Sequence, residues 1–259
     1  MTDEDGARIP GAVYESLRKS GFPFQTRVAH AFRTESKWQL RATEMPWSDS
    51  VVGDQFLDVL GMRGPMFALV ECKKMESTAL TFLRPLAMPH HTGLQDYARL
   101  MSTVQASRGV FDSDFHTTRI APSSFESQLC VKMGKDQRML EPDCRLLLHA
   151  TAWYARRNRA LMSIQLRQTG TAPERTTYLP LLVTTARLFT ARYEPTDVSL
   201  ETGSFVADPK ETEEVDFIRF TKSFSSAESL TADACTVFVV RASALVRFLD
   251  EVELKSEVA

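Results

Sequence analysis

Three ionisable residues stand close together where charge is expensive: Asp58, Glu71 and Lys73. Two apolar, β-rich runs, residues 56–60 and 66–70, flank a turn segment containing Gly61, Gly64 and Pro65, and this reads as a hairpin. Asp58 interrupts the first strand, whereas Glu71, Cys72, Lys73 and Lys74 end the second. Side chains alternate along a strand, so Glu71 and Lys73 share a face. A turn centred on Gly64–Pro65 puts Asp58 across from Glu71. Two carboxylates and an ammonium would then meet beside an apolar core, where unpaired charge is strongly disfavoured. A surface ion pair at a strand end, Asp58–Lys73 or Glu71–Lys74, is the plainer alternative, worth only ~0–1 kcal/mol.

The elements around this hairpin follow from periodicity. Residues 13–32 read as one or two helices broken near Gly21 and Pro23, with Val28, Ala29, Ala31 and Phe32 as an apolar stripe. Residues 38–43 are expected as a strand, 48–54 as a polar loop and 78–86 as a short apolar segment. Residues 94–107 carry Leu94, Tyr97, Ala98, Met101 and Val104 at helical spacing and are expected as a helix. Glu141, Pro142 and Asp143 mark a helix entrance, with the helix running over 145–158. Strands are expected at 161–166, 178–184, 186–193, 215–220 and 236–240, and a terminal amphipathic helix at 242–252. The resulting architecture is an α/β chain with a mixed central sheet flanked by helices. Residues 1–195 form the core, and 196–259 supply C-terminal strands and a helix packed on the same domain.

Composition narrows the function classes. A hydrophobic fraction of 43% suits a packed core and excludes a disordered chain. No apolar run approaches the roughly 20 residues that span a bilayer, and the acidic, polar first residues do not read as a secretory signal. Cys72, Cys130, Cys144 and Cys235 show no CxxC spacing and fit buried thiols, so a cytoplasmic protein is expected. The net charge of -2 gives no global attraction for nucleic acid, but charge is unevenly placed. Arginines and lysines dominate 8–41; Arg145, Arg156, Arg157, Arg159 and Arg167 form a second basic zone; residues 194–216 are acidic. Such local faces can meet phosphates. Ordinary solvated faces explain each cluster equally well.

The order helix, strand, hairpin bearing Asp58 and then Glu71-Cys72-Lys73, followed by a helix, resembles the PD-(D/E)xK restriction-endonuclease-like nuclease superfamily over roughly the first 110 residues. The segment GFPFQTRVAHAF looks like the N-terminal helix of such proteins, with Gln25 where a glutamate often stands. Glu15, Glu35 and Glu44 are the other acids that could replace it.

The resemblance implies a restriction-endonuclease-like core and magnesium- or manganese-dependent hydrolysis of DNA phosphodiester bonds. Asp58, Glu71 and the main-chain carbonyl of Cys72 would be metal ligands, and Lys73 would sit beside the attacking water. Gln25 would hydrogen-bond a metal-bound water. It also implies a homo-oligomer or partner subunits, and a role in phage defence or restriction. A nuclease-fold module without activity, binding nucleic acid or a protein, is the alternative.

The chemistry accounts for the residue types. Phosphodiester hydrolysis needs an in-line water and neutralisation of the phosphoryl charge. Magnesium takes oxygen ligands and keeps several waters. His90–His91 and the Cys144/His149 pair are expected to be structural or solvated. Of the aromatics at 22, 24, 38, 47 and 153, Trp47 is the best placed to stack on a base, because it lies near the polar loop.

Overall fold

The computed structural model describes residues 11, 13–17, 19–75, 79–86, 96–107, 109–133, 140–209, 211–224 and 233–255. The hairpin organises everything else. Helix α1 (Phe22–His30) runs into a π-helical turn (Ala31–Glu35) and is followed by β1 (Gln39–Asp49), β2 (Gly53–Arg63) and β3 (Met66–Lys73). β1, β2 and β3 form an antiparallel meander, with Arg63 opposite Met66 across a two-residue turn. Gly64 adopts the left-handed φ of 55° that such a turn demands. At Gly61 the reason for glycine is different. A Cβ there would lie 2.3 Å from the ring of Phe32, so its absence lets α1 and the π turn close onto β2.

After β4 (Ala79–Pro85), β5 (Tyr97–Ser107), β6 (Val110–Ala121), β7 (Glu126–Ser127) and β8 (Leu129–Met133), the chain enters a thirty-residue helix, α2 (Leu140–Thr169). It then delivers β9 (Arg175–Thr184), which pairs parallel to β3, with Glu71 beside Leu182 and Lys73 beside Thr184. β10 (Arg187–Tyr193), β11 (Glu211–Val215), β12 (Phe217–Phe224) and β13 (Asp233–Arg241) follow. The short helix α3 (Leu245–Glu251) and β14 (Glu253–Leu254) end the described chain. The main sheet runs β1-β2-β3-β9-β13-β12-β7, with β5, β6 and β14 attached beside β9. A second, four-stranded sheet runs β11-β10-β4-β8.

Both faces of the main sheet are buried, which is why β9 is buried nearly throughout and carries the apolar run 179–183. On one face α2 packs Leu147 and Leu148 with Leu60, Leu69 and Leu182. On the other, Phe32 of the π turn and Phe248 of α3 pack with Val59, Val70 and Leu181. The fold is therefore a mixed α/β layering with a mixed central sheet flanked by helices. No helix among the described residues is long and apolar enough to cross a membrane.

Several sequence expectations need correction. Residues 97–107 are strand β5, not helix. Ser102 and Thr103 are fully buried in it and share hydrogen bonds with the hydroxyls of Thr177 and Tyr178, a polar ladder that suits a strand paired to β6 and β9. Residues 161–166, expected as a strand, continue α2. Met162 is buried seven residues after Ala155, whereas Leu161 and Ile164 are exposed, a helical pattern that six residues of apparent alternation hid. The expected strand at 215–220 is two strands in two sheets, parting at Asp216. β1 extends through Trp47, which is buried, so this residue is core and not a base-stacking platform. The expected loop over 48–54 narrows to residues 50–52. His90–His91 lies outside the described residues.

Candidate functional site

The hairpin register, continued one pair beyond Val59–Val70, brings Asp58 to Glu71. The ladder between β2 and β3 stops at that pair, and Asp58 replaces it with a side-chain bond. The Cys72 N–H donates to Asp58 Oδ2 at 2.7 Å. The N–H and C=O of one strand residue point to the same side, so the Cys72 carbonyl also faces Asp58. The Cys72 side chain packs with the core on the α1 side, opposite Glu71 and Lys73.

Lys73 is held by two carboxylates. Its Nζ lies 3.1 Å from Glu71 Oε1 and 3.0 Å from Asp143 Oδ1. Asp143 belongs to the first turn of α2, where an acid is favoured by the helix dipole. This residue was missed as a site residue, although the Glu-Pro-Asp helix entrance was its signal. Gln25 reaches the same place from α1: its Nε2 donates to the Asp58 main-chain carbonyl at 3.2 Å. The structure thus brings Asp58, Glu71, Cys72, Lys73 and Gln25 together, with Gln25 engaging the backbone and not a carboxylate.

Charge at this spot is unbalanced. Burial pushes the Glu71 carboxyl up to about 7, and neighbouring Asp58 pushes the same way; Lys73 only partly offsets them. Burial also raises Asp58, against the stabilising N–H of Cys72, and Glu44 adds to that rise. Burial works against the Lys73 ammonium, yet Glu71 and Asp143 outweigh it and hold it above its ordinary value. Glu44 stands opposite Asp58 in the β1–β2 register, with a left-handed φ of 49°. It lines a cavity of about 240 Å³ between α1 and β1, together with Gln25, Thr26, His30 and Arg33. Of the other acids weighed, Glu35 pairs with Arg27 at 2.8 Å, away from Asp58.

Among the described residues, no three His, Cys, Asp or Glu side chains converge as a metal cage. The donors at the hairpin end are of another kind: two carboxylates and one main-chain carbonyl, all oxygen. Together with an excess of acid over lysine, this set fits a hard cation such as magnesium that keeps several waters. The remaining candidates are structural: Cys144 is fully buried, and His149 is buried against Phe224 and Asp49. Trp38 donates its indole N–H to the Leu249 carbonyl in the core. No family model, curated protein or solved structure matches the chain.

Proposed function

We propose that the protein is a metal-dependent endonuclease that hydrolyses DNA phosphodiester bonds, built on a restriction-endonuclease-like core. The observation that carries the reading is the meeting of Asp58, Glu71 and Lys73 at the open end of one hairpin, with acid in excess. The element order supports it: α1, β1, the hairpin and then α2, with β9 returning parallel to β3. Asp58, Glu71 and the Cys72 carbonyl would hold magnesium or manganese, which would supply charge neutralisation and an activated water.

The chain's own residues have definable tasks. Lys73, kept as an ammonium by two carboxylates, offers charge to a phosphoryl oxygen and is a poor general base in that state. Asp143 fixes where that ammonium sits. The Cys72 N–H orients the Asp58 carboxylate, and Gln25 ties α1 to the backbone beneath it.

Incubation of the protein with supercoiled and linear DNA tests the reading. Magnesium- or manganese-dependent cutting is expected, lost in Lys73→Ala and Glu71→Ala while circular dichroism and melting show a folded chain. Wild-type cutting by both variants would sink the assignment. Gln25 favours a second reading, a nuclease-fold module without activity, because an amide occupies the helix position beside Asp58. Calorimetry separates the two: absence of manganese binding alongside salt-sensitive DNA binding selects the inactive module. A place in phage defence or restriction is part of the same proposal and rests on the resemblance alone.

A further inference from the structure

The basic zone at 145–167 lies wholly within α2, and its spacing is informative. Arg145, Arg156 and Arg167 recur every eleventh residue. Eleven residues make close to three turns at 3.6 residues per turn, so the three fall in one row along the helix. Arg157 and Arg159 flank that row on either side. Arg145, Arg157 and Arg167 are exposed, and after Asp143 the helix contains no acidic residue at all. Among the described residues Asp49 lies 3.4 Å from Arg156 and Asp112 lies 3.5 Å from Arg159, fewer acids than the five arginines of the zone. In a chain of net charge -2 this is segregation of charge along one rod.

From the row we infer that the arginine-bearing flank of α2 is a docking surface for the phosphate backbone of duplex DNA lying along the helix. At 1.5 Å per residue, Arg145 and Arg167 are about 33 Å apart. B-form DNA presents the same strand to a straight edge once per turn, about 34 Å. The ends of the row therefore match successive passes of one strand, a coincidence that a flexible single strand does not offer. The N-terminal turn of α2 is also the end of the helix nearest the candidate site, because Asp143 there holds Lys73, although its side chain points away from the row. Arg157 lies over the Trp153 ring at 5.4 Å, a contact that restrains its side chain.

The choice of partner rests on the nuclease reading, but the two fail separately. Binding is measured by fluorescence anisotropy in EDTA, where no cutting occurs, on a labelled duplex two helical turns long and on its single strand. Manganese-dependent hydrolysis of bis(4-nitrophenyl) phosphate tests the hairpin end without a duplex. Wild type is expected to bind the duplex more tightly than the single strand. In Arg145→Gln/Arg167→Gln, affinity should fall roughly tenfold or more, and the slope of log K against log salt should lose about two. Lysine at both positions should restore the slope, and Arg187→Gln on the second sheet should change neither quantity. Wild-type affinity and slope in the double glutamine variant would overturn the inference, as would a preference for single strands or no duplex binding by wild type. A change of oligomeric state in that variant with unaltered DNA binding would assign the face to a second copy of the chain and also overturn it.

Discussion

Two clusters in this molecule place glutamates against cations, and they behave oppositely. At the end of the hairpin, Glu71 and Asp143 share one lysine, Asp58 stands close by, and Glu71 is only 15% exposed. There burial raises the carboxyl to about 7. On the β10–β11 edge, Glu214 meets two arginines, Arg187 at 2.6 Å and Arg241 at 2.8 Å, in the open. There the hydrogen bond from Arg187 holds the carboxyl below its usual value. The second cluster is uneven too, two arginines to one carboxylate, but it lies in the open, where solvent screens the surplus charge. The first has acid in excess in a place that resists charge. Both are rich in ion pairs, so counting pairs would not tell them apart. Burial and the sign of the excess charge do.

The sharpest test of this contrast is Glu71→Gln, which should act on activity and stability in opposite directions. Cleavage should fall on the order of 10²–10³-fold, the loss expected when a metal-ligating carboxylate is removed. Stability without metal should rise. Glu71 is raised in the folded state, so its stabilising contribution is fully present below pH 4.5 and is lost as pH climbs to about 7. Glutamine has no such loss. Chemical denaturation should therefore find the variant more stable by ~2–3 kcal/mol at pH 8 and equal to wild type near pH 4. Added magnesium should narrow the gap at pH 8 by stabilising wild type alone. Parallel pH curves for the two proteins would remove the distinction between the clusters.

Asp143→Asn should have a smaller effect. Lys73 keeps Glu71 but loses its second carboxylate, so the ammonium is less firmly placed. A fall in kcat of about tenfold with little change in KM is expected, since the residue positions another group and does not touch substrate. Asp143→Glu should recover part of the rate, whereas a purely structural role would show as lost melting temperature in both variants.

How much of this could be read from residues alone varies with sequence distance. Asp58, Glu71 and Lys73 were legible because a two-residue turn at Gly64–Pro65 sets a register, and a register fixes which side chains meet. Asp143 was not. Its contact with Lys73 spans seventy positions and depends on α2 returning the chain so that β9 lies parallel to β3, which no local pattern announces. The same limit explains β5, whose apolar positions suit both a helix and a buried strand until its pairing with β6 and β9 decides. It also explains the second sheet, where β4 and β10 pair in parallel although about a hundred residues separate them. The central sheet and its flanking helices were visible as a class, because strands 178–184 and 236–240 are strongly apolar and short.

The smallest effect is expected at the exposed cluster, and it serves as the control. Glu214→Gln removes one carboxylate from between two arginines on an exposed edge, and water can take its place. Melting temperature and cleavage at neutral pH should stay close to wild type. Whatever stability Glu214 contributes follows the opposite pH rule from Glu71: a carboxyl held low stabilises above its ordinary range and loses that contribution as the solution is acidified. A small deficit of the variant at pH 8 should therefore shrink toward acid pH, while the advantage of Glu71→Gln shrinks in the same direction from the other side. If Glu214→Gln instead lowered cleavage as much as Asp143→Asn, the acidic edge of the second sheet would have to act on the hairpin end. Activity could then no longer be assigned to the buried cluster alone.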